Sequence, residues 1–357
     1  MKNYKLGALY GDGIGPEIVK STVDIMEAAA GKIGIEVEFE KMPLGWEGIE
    51  KYNNPVPDVT KEGLTKCDAW LLGPHDSAAY PEEWSSQLNP SGTIRHHFDL
   101  YSNARPIKPV PGIKSVVDGM DLVLFRENTE GFMPDRNMFK GRGEFLVTPE
   151  IALATGVFTK KATRRIAHEA FKMAMSRRKK LAIVHKANVI QMAYGLFRDT
   201  CYEVGREFYP EVEIEDYHID AMTAHLVRRA KDFDVIVTTN LFGDILSDLA
   251  GELSGSLGLA PAINSNETQA MAQAAHGSAP DIGGQNVANP VGMILSGTLL
   301  LKWLADKHED KRMNDMALLI EAAIEKNLTE GVCTRDLGGK ESTTSFTQEV
   351  INTLKTM

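Results

Sequence analysis

Asp244 and Asp248 stand four residues apart in Asn240-Leu241-Phe242-Gly243-Asp244-Ile245-Leu246-Ser247-Asp248, directly after an apolar run at Val235 to Thr239. Residues four apart on a helix share one face, and two carboxylates side by side repel unless solvent or a cation intervenes. Hard divalent cations such as Mg²⁺ take oxygen ligands. The pair is therefore either a solvated acidic face at a helix start or part of a metal site. Phe242, Ile245, Leu246 and Leu249 fill the gaps, so the segment is not generally hydrophilic, and Asp220, at the end of another candidate strand, could supply a third carboxylate.

Arg95, Arg105 and Arg126 are expected near strand ends. A guanidinium fork matches a carboxylate in bidentate fashion, so the trio reads as a carboxylate clamp, with ordinary surface salt bridges as the alternative. Lys186 follows the apolar run Leu181 to Val184 with only His185 between. It is either a surface lysine or a group at the carboxyl end of a strand, where ligands bind in open α/β sheets. Beside a cation and arginines its ammonium would be destabilised, which would suit a proton acceptor. In His276-Gly277-Ser278-Ala279-Pro280-Asp281-Ile282-Gly283-Gly284 the small residues allow close backbone approach. Asp281 could accept from both hydroxyls of an adenosine ribose and would repel a 2′-phosphate, which favours NAD over NADP. Gly11-Asp12-Gly13-Ile14-Gly15 is not a GxGxxG fingerprint, because its third glycine comes one residue early.

The elements that must position these groups alternate. Tyr4 to Tyr10 is a strand candidate, and Pro16 sits where a helix would begin. Val19, Val23, Met26, Ala30 and Ile33 then recur at steps of four and three, one helical face, while Ile35, Val37 and Phe39 alternate with Glu36, Glu38 and Glu40 as a half-buried strand does. Further strands are expected at Ala69 to Leu72, Asp121 to Phe125, Leu181 to Val184 and Val235 to Thr239. Helices are expected at Thr159 to Ser176, Asn188 to Glu207, Ala221 to Ala230, Leu241 to Leu253, Gly292 to Ala305 and Met313 to Lys326. This alternation argues for an α/β protein with much parallel pairing.

The chain has 357 residues, on the order of two domains. Its net charge of -10 argues against nucleic acid as a main partner, so any anion it handles must meet locally concentrated Arg and Lys. Cys67, Cys201 and Cys333 form no CxxC pair, which argues against a zinc knuckle or a disulfide framework and fits a reducing compartment. The N-terminus does not read as a secretory signal and no apolar stretch reaches membrane-spanning length, so a soluble cytoplasmic protein is expected.

Taken together, these segments resemble the β-decarboxylating dehydrogenases, the family of isopropylmalate, isocitrate, homoisocitrate and tartrate/D-malate dehydrogenases. The resemblance covers nearly the whole chain. It includes Gly11-Asp12-Gly13-Ile14-Gly15-Pro16-Glu17, Arg95 and Arg105 ten apart, Arg126-Glu127-Asn128-Thr129-Glu130-Gly131, His185-Lys186-Ala187-Asn188, Asp220-Ala221-Met222, Gly243-Asp244-Ile245-Leu246-Ser247-Asp248 and His276-Gly277-Ser278-Ala279-Pro280-Asp281. It implies the family's own α/β fold, not a Rossmann fold. Residues 1–100 with 256–357 would form a large NAD-binding domain, residues 101–255 a smaller dimerisation and metal/substrate domain, and the active site would lie in the cleft between them. It implies a homodimer in which Lys186 and Asp220 reach the partner's site. Arg95, Arg105, Arg126 and Ser91 would hold a malate-like hydroxy acid, and Asp220, Asp244 and Asp248 would hold Mg²⁺ or Mn²⁺. Asn188, His276, Gly277, Ser278, Ala279, Asp281, Ile282 and Asn289 would contact NAD. Lys186 and Asp220 would carry the catalytic chemistry, oxidation at C2 followed by loss of the β-carboxylate.

The chain also departs from the family. Met133 stands where members usually carry a tyrosine acid, and methionine cannot donate a proton. Tyr101 and His185 lie in motif segments, but neither is an established substitute. Gln273 replaces a common Glu and Gln285 a common Lys, both expected near the cofactor. Ser91 and Gly92 occupy positions where isopropylmalate enzymes place large aliphatics, and His96 and His97 flank Arg95. An isocitrate-like or D-malate/tartrate-like substrate is therefore favoured. The alternatives are an isopropylmalate dehydrogenase, or a non-catalytic regulatory subunit in view of Met133.

Overall fold

The computed structural model describes residues 2–85, 87–133, 138 and 141–357. In chain order, β1 (Tyr4–Leu9), α1 (Gly15–Ile33), β2 (Val37–Met42), α2 (Trp46–Tyr52), α3 (Asp58–Leu64), β3 (Ala69–Leu72), α4 (Glu82–Ser85) and α5 (Pro90–His97) precede β4 (Ser102–Ile107) and β5 (Leu122–Glu127). An arm of β6 (Glu144–Thr148) and β7 (Ile151–Ala154) follows. Then come α6 (Lys160–Met175), β8 (Lys180–His185), α7 (Gln191–Phe208), β9 (Glu213–His218), α8 (Ile219–Arg229), β10 (Val235–Thr238) and α9 (Asn240–Leu253). β11 (Ile263–Ser265), β12 (Ala270–Ala272), α10 (Val291–His308), α11 (Lys311–Thr329) and α12 (Thr343–Thr356) complete the chain.

All strands but the arm join one 10-stranded sheet in the order β2-β1-β3-β12-β11-β4-β5-β10-β8-β9. The two wings are parallel, as the strand–helix alternation predicts. The centre is not: β12, β11, β4 and β5 pair antiparallel. This is an α/β fold with a large mixed sheet. The largest apolar cluster packs α1, α10, α11 and α12 on one wing. Two others pack α6 and α7, and α8 and α9, on opposite faces of the other wing. Among the described residues, no helix is long and apolar enough to cross a membrane.

Most expected elements form within a few residues of their predicted bounds. β2 starts at Val37 because α1 closes on Gly34 in the left-handed conformation, leaving Ile35 in the turn. Several elements have no counterpart in the apolar pattern, among them α5, β4, the arm and α12. The reason differs for each. β4 reads Ser-Asn-Ala-Arg-Pro-Ile, and its polar side chains face a polar seam instead of the core. α12 is held at its start by a capping box in which Ser342 and Ser345 satisfy each other's backbone N–H. The arm carries its large apolar side chains outward, Leu146 at 70% exposure.

The seam joins the two wings where parallel pairing gives way to antiparallel. Asn264 on β11 is fully buried. Its Oδ1 accepts from Asn103 Nδ2 at 2.9 Å and Asn128 Nδ2 at 3.0 Å, while its Nδ2 donates to the Met271 carbonyl at 3.3 Å. Asn103 Oδ1 in turn accepts from Arg105 Nε at 3.2 Å. The strands thus fix Arg105 through buried amides. Replacing Asn264 by Leu removes the acceptor for two buried donors, and the expected loss is about 2–4 kcal/mol in urea unfolding. A change below about 1 kcal/mol would show that the seam does not hold the wings together.

Candidate active site

Arg105 and Arg126 leave adjacent antiparallel strands and are nearly fully buried, with side chains 6% and 4% exposed. Both meet the first two turns of α9. Arg105 Nη1 donates to Ser247 Oγ at 2.5 Å and to Asp248 Oδ1 at 3.4 Å, and its Nη2 lies 3.7 Å from Asp244 Oδ1. Arg126 Nε donates to Asn240 Oδ1 at 2.9 Å, and its Nη1 makes a short contact to Asp244 Oδ1. Gly243 permits this approach, since a Cβ there would come within 2.6 Å of Arg126 Cγ. Asp244 and Asp248 share one helical face, as their spacing predicts. Burial pushes Asp248 above the ordinary carboxylate range, and Asp244 beside it adds to the rise, against the pull of Arg105.

Arg95 departs from expectation. It lies within α5, not at a strand end, and its Nη2 donates to Gln273 Oε1 at 2.7 Å. Gln273 lines the same cavity as His276. It accepts from the arginine as a neutral amide and does not itself cancel the guanidinium's charge, as a glutamate there would.

Arg95, Arg105, Arg126, Asp244 and Gln273 line a cavity of about 410 Å³ that also includes Asn89, Ser91, Met133, Arg142, Glu144, Ala274, Ala275 and His276, while Asp248 lies outside this lining. Four arginines, Arg95, Arg105, Arg126 and Arg142, face it with two carboxylates, Glu144 and Asp244. Arg142 and Glu144 come from the arm. No pattern in the sequence points to them, because the strands of the arm are solvated on both faces. Ser91 faces the cavity but Gly92 does not: a Cβ on Gly92 would meet Leu88 at 2.7 Å. Asn89 Oδ1 caps α5 by accepting from Gly92 N at 2.8 Å, and it also accepts from Ser91 Oγ at 3.2 Å. His75 Nε2 lies 3.1 Å from Ser91 Oγ. With the serine proton directed to Asn89, His75 donates through Nε2–H. Its Nδ1 is a buried acceptor with no hydrogen-bond partner. Burial, reinforced by Arg95, pushes His75 down to about 4. His96 and His97 point away from the cavity into solvent.

Neither Tyr101 nor His185 lines the cavity. Tyr101 is buried, donates to Glu267 Oε1 at 2.9 Å and lies under Arg165. His185 is buried against Asp216. In the Arg126-Glu127-Asn128-Thr129-Glu130 motif only Arg126 faces the cavity. Glu127 accepts from the Thr129 and Glu130 backbone N–H groups, and Glu130 accepts from Thr159 at the start of α6. Burial raises Glu130 to about 7.

Lys186 and Asp220 also stand outside the cavity lining, at the ends of β8 and β9, paired with each other at 2.5 Å. The lysine holds Asp220 below the ordinary carboxylate range. Among the described residues no three His, Cys, Asp or Glu side chains gather as a metal site, so Asp220 does not converge on Asp244 and Asp248 within one chain. Val189, Ile190, Val227, Ile245 and Met192, the last 92% exposed, present an apolar surface on the segments that carry Lys186, Asp220 and Asp244.

A second cavity, about 240 Å³ and mainly apolar, adjoins the first through His276 and includes Ile14, Gly277, Ala279, Ile282, Asn289 and Asp336. The Gly11–Gly15 loop locks against the 277–284 loop. Ile14 N donates to the Ser278 carbonyl at 2.9 Å, and a Cβ on Gly13 (φ +58°) would fall 2.0 Å from that oxygen. Ser278 thus acts through its backbone. His276 Nε2 is buried without a hydrogen-bond partner, and burial holds the ring below its ordinary range. An orphaned imidazole nitrogen, apolar walls and Asn289 suit the adenosine half of a dinucleotide. Asp281 and Asn188 are exposed and lie outside this lining. Gln285 Nε2 donates to the Asp281 carbonyl at 2.7 Å.

The sequence matches the family described as "Isocitrate/isopropylmalate dehydrogenase" over residues 5–354. It is 40% identical over 357 residues to the isocitrate/homoisocitrate dehydrogenase of Thermus thermophilus, covering 99% of each chain. It is 38% identical over 356 residues to the 3-isopropylmalate dehydrogenase of Methanothermobacter thermautotrophicus, covering 99% of this chain and 100% of that one. The solved isocitrate dehydrogenase of Methylococcus capsulatus superposes with a TM-score of 0.88 at 33% identity over 99% of each chain. Identities so close do not separate the substrates.

His75 supplies a test of the cavity wall. It titrates at about 4 in the fold against an ordinary 6.5. The unfolded chain therefore binds more protons between these values, and stability falls as the pH drops from about 6.5 to 4. Equilibrium unfolding of His75→Gln should show a flatter decline over that window. An unchanged slope would mean that His75 is not held neutral beside Arg95.

Proposed function

Because the chain belongs to the isocitrate/isopropylmalate dehydrogenase family of oxidative decarboxylating dehydrogenases, we propose that it oxidises and decarboxylates a 2-hydroxy acid bearing a 3-carboxylate and a polar or anionic third substituent, using NAD. The observation that carries this reading is the cavity wall of Asn89, Ser91, Gln273 and Arg142, where no branched aliphatic side chain stands among the described residues. An isopropyl group buried there would gain little. Arg142, a fourth guanidinium, favours an isocitrate-like tricarboxylate over D-malate or tartrate.

In this reading residues 1–100 with 256–357 form the cofactor domain and residues 101–255 the metal and dimerisation domain. Two copies meet through the apolar surface around Met192 and Ile245, which carries Lys186 and Asp220 to the other copy's cavity. Arg95, Arg105 and Arg126 bind and orient the malate-like carboxylates. The hard oxygens of Asp244 and Asp248, with Asp220 from the second copy, fit Mg²⁺ or Mn²⁺, which when bound supplies Lewis acidity toward the C2 hydroxyl and the carbonyl formed from it. His276, Asn289 and the 277–284 loop would hold NAD, whose chemistry is to accept the hydride from C2. Lys186 of the second copy takes the hydroxyl proton at Nζ. The arginines keep the 3-carboxylate placed as its bond to C3 breaks and CO₂ leaves. Met133 has no proton to give, so solvent supplies the proton that ends at C3.

Met133 also motivates the reading of a non-catalytic regulatory subunit. The retained lysine, three aspartates and three arginines weigh against it.

NADH formation by the purified chain with Mn²⁺ decides. Across isocitrate, homoisocitrate, D-malate, tartrate and 3-isopropylmalate, the tricarboxylates should exceed isopropylmalate in kcat/KM by at least about tenfold. Preference for isopropylmalate would overturn the substrate assignment, and no turnover with any of these acids would overturn the catalytic reading.

A further inference from the structure

Lys186 sits in a short turn between β8 and α7, and the turn is tied on both sides. Its carbonyl accepts from Val189 N at 3.1 Å and Ile190 N at 3.0 Å. On the other side, the Ala187 N–H donates to Nδ1 of the preceding His185 at 3.0 Å. The ring of His185 is 1% exposed. Because Nδ1 accepts, the proton sits on Nε2, which donates to Asp216 Oδ1 at 2.7 Å. Asp216 Oδ2 accepts in turn from Tyr202 OH at 2.7 Å. Burial pushes His185 down, so the ring is neutral at physiological pH. Hydrogen bonds from His185 and Tyr202 keep Asp216 below the ordinary carboxylate range despite its partial burial.

We propose that His185 is a positioning residue: through Tyr202, Asp216 and the Ala187 amide it fixes the backbone on which Lys186 swings, and by binding β9 it locks the strand end bearing Lys186 to the strand end bearing Asp220. The inference rests on the reading that Lys186 moves the substrate proton. The geometry assigns separate work to the two ring nitrogens. Nδ1 orients the Ala187 amide, one peptide beyond Lys186. Nε2 anchors the ring to β9, whose register places His185 opposite His218, two residues before Asp220. A tautomer set by a hydrogen bond at the far nitrogen is the same device that orients a histidine toward any group it serves. Here the served group is a main-chain N–H. Displacing a proton-transfer group by about 1 Å can cost on the order of a hundredfold in rate.

The two functions separate by substitution. His185→Asn can keep an acceptor near Nδ1 but cannot reach Asp216, His185→Gln can reach Asp216 but loses the acceptor for Ala187, and His185→Leu loses both. With whichever hydroxy acid the wild type turns over best, His185→Leu and His185→Gln should lose kcat by about 10–100-fold, with KM moving less than about threefold. His185→Asn should recover a substantial part of kcat. Thermal melts of all three check that the fold persists; were the Leu variant unable to fold, the Asn–Gln comparison tests the same role. Lys186→Ala is the control. If Lys186→Ala abolishes turnover and the folded His185 variants keep wild-type kcat, the positioning role is overturned alone. It is also overturned if Asn and Gln lose kcat equally. If Lys186→Ala retains full turnover, or the wild type turns over none of the acids, the reading on which the role rests falls, and the role falls with it.

Discussion

Two guanidiniums buried in the sheet and aimed at two carboxylates on one helix are the interaction on which the rest of the structure depends. Burying an arginine is costly unless its donors are satisfied and its charge is answered. Arg105 meets the requirement with Asn103, Ser247 and Asp248, and Arg126 with Asn240 and Asp244. The carboxylates themselves remain about half exposed, at 45% and 48%. The arrangement therefore has a dry cationic floor and a wet anionic edge, where a ligand carrying both carboxylates and a cation can enter between them. The central antiparallel strands carry these arginines, and the amide seam through Asn264 holds those strands in register.

The second constraint is charge balance in the cavity. A chain of net charge -10 concentrates four arginines, among its described residues, around one space. Gln273 accepts from Arg95 without cancelling its charge, and Ser91 presents a hydroxyl held by Asn89 and His75. The wall that would receive the substrate's third substituent is thus polar from backbone outward. The adjoining cleft is the opposite: apolar, and shaped by two loops that close on each other where Gly13 and Gly283 leave no room for a Cβ. His276 stands at the junction and lines both.

The wings of the fold are legible from the chain because their strands and helices are amphipathic or wholly apolar, and periodicity reports that. The spacing of Asp244 and Asp248 predicts their shared face directly. What escapes is structure built from polar side chains. β4 is a strand whose residues include the buried Asn103 and Arg105, so it carries no apolar alternation. Arg95 is helical, because an Asn89 cap and Pro90 start a short helix that apolar spacing does not announce. The arm that brings Arg142 and Glu144 to the cavity is exposed on both faces and has no inside to read. Lys186 and Asp220 stand out as chemical groups, but their separation from the arginine cavity within one chain is a property of three-dimensional placement.

That separation makes the central claim testable: one copy contributes the arginine and α9 half of each site, and the other contributes Lys186 and Asp220. Lys186→Ala and Asp244→Ala chains, each inactive as a homodimer, should regain about a quarter of wild-type turnover when co-refolded at equal ratio, because each mixed dimer holds one intact and one doubly altered site. If mixed dimers form and turnover stays at the level of the separate variants, both halves belong to a single chain and the account is wrong.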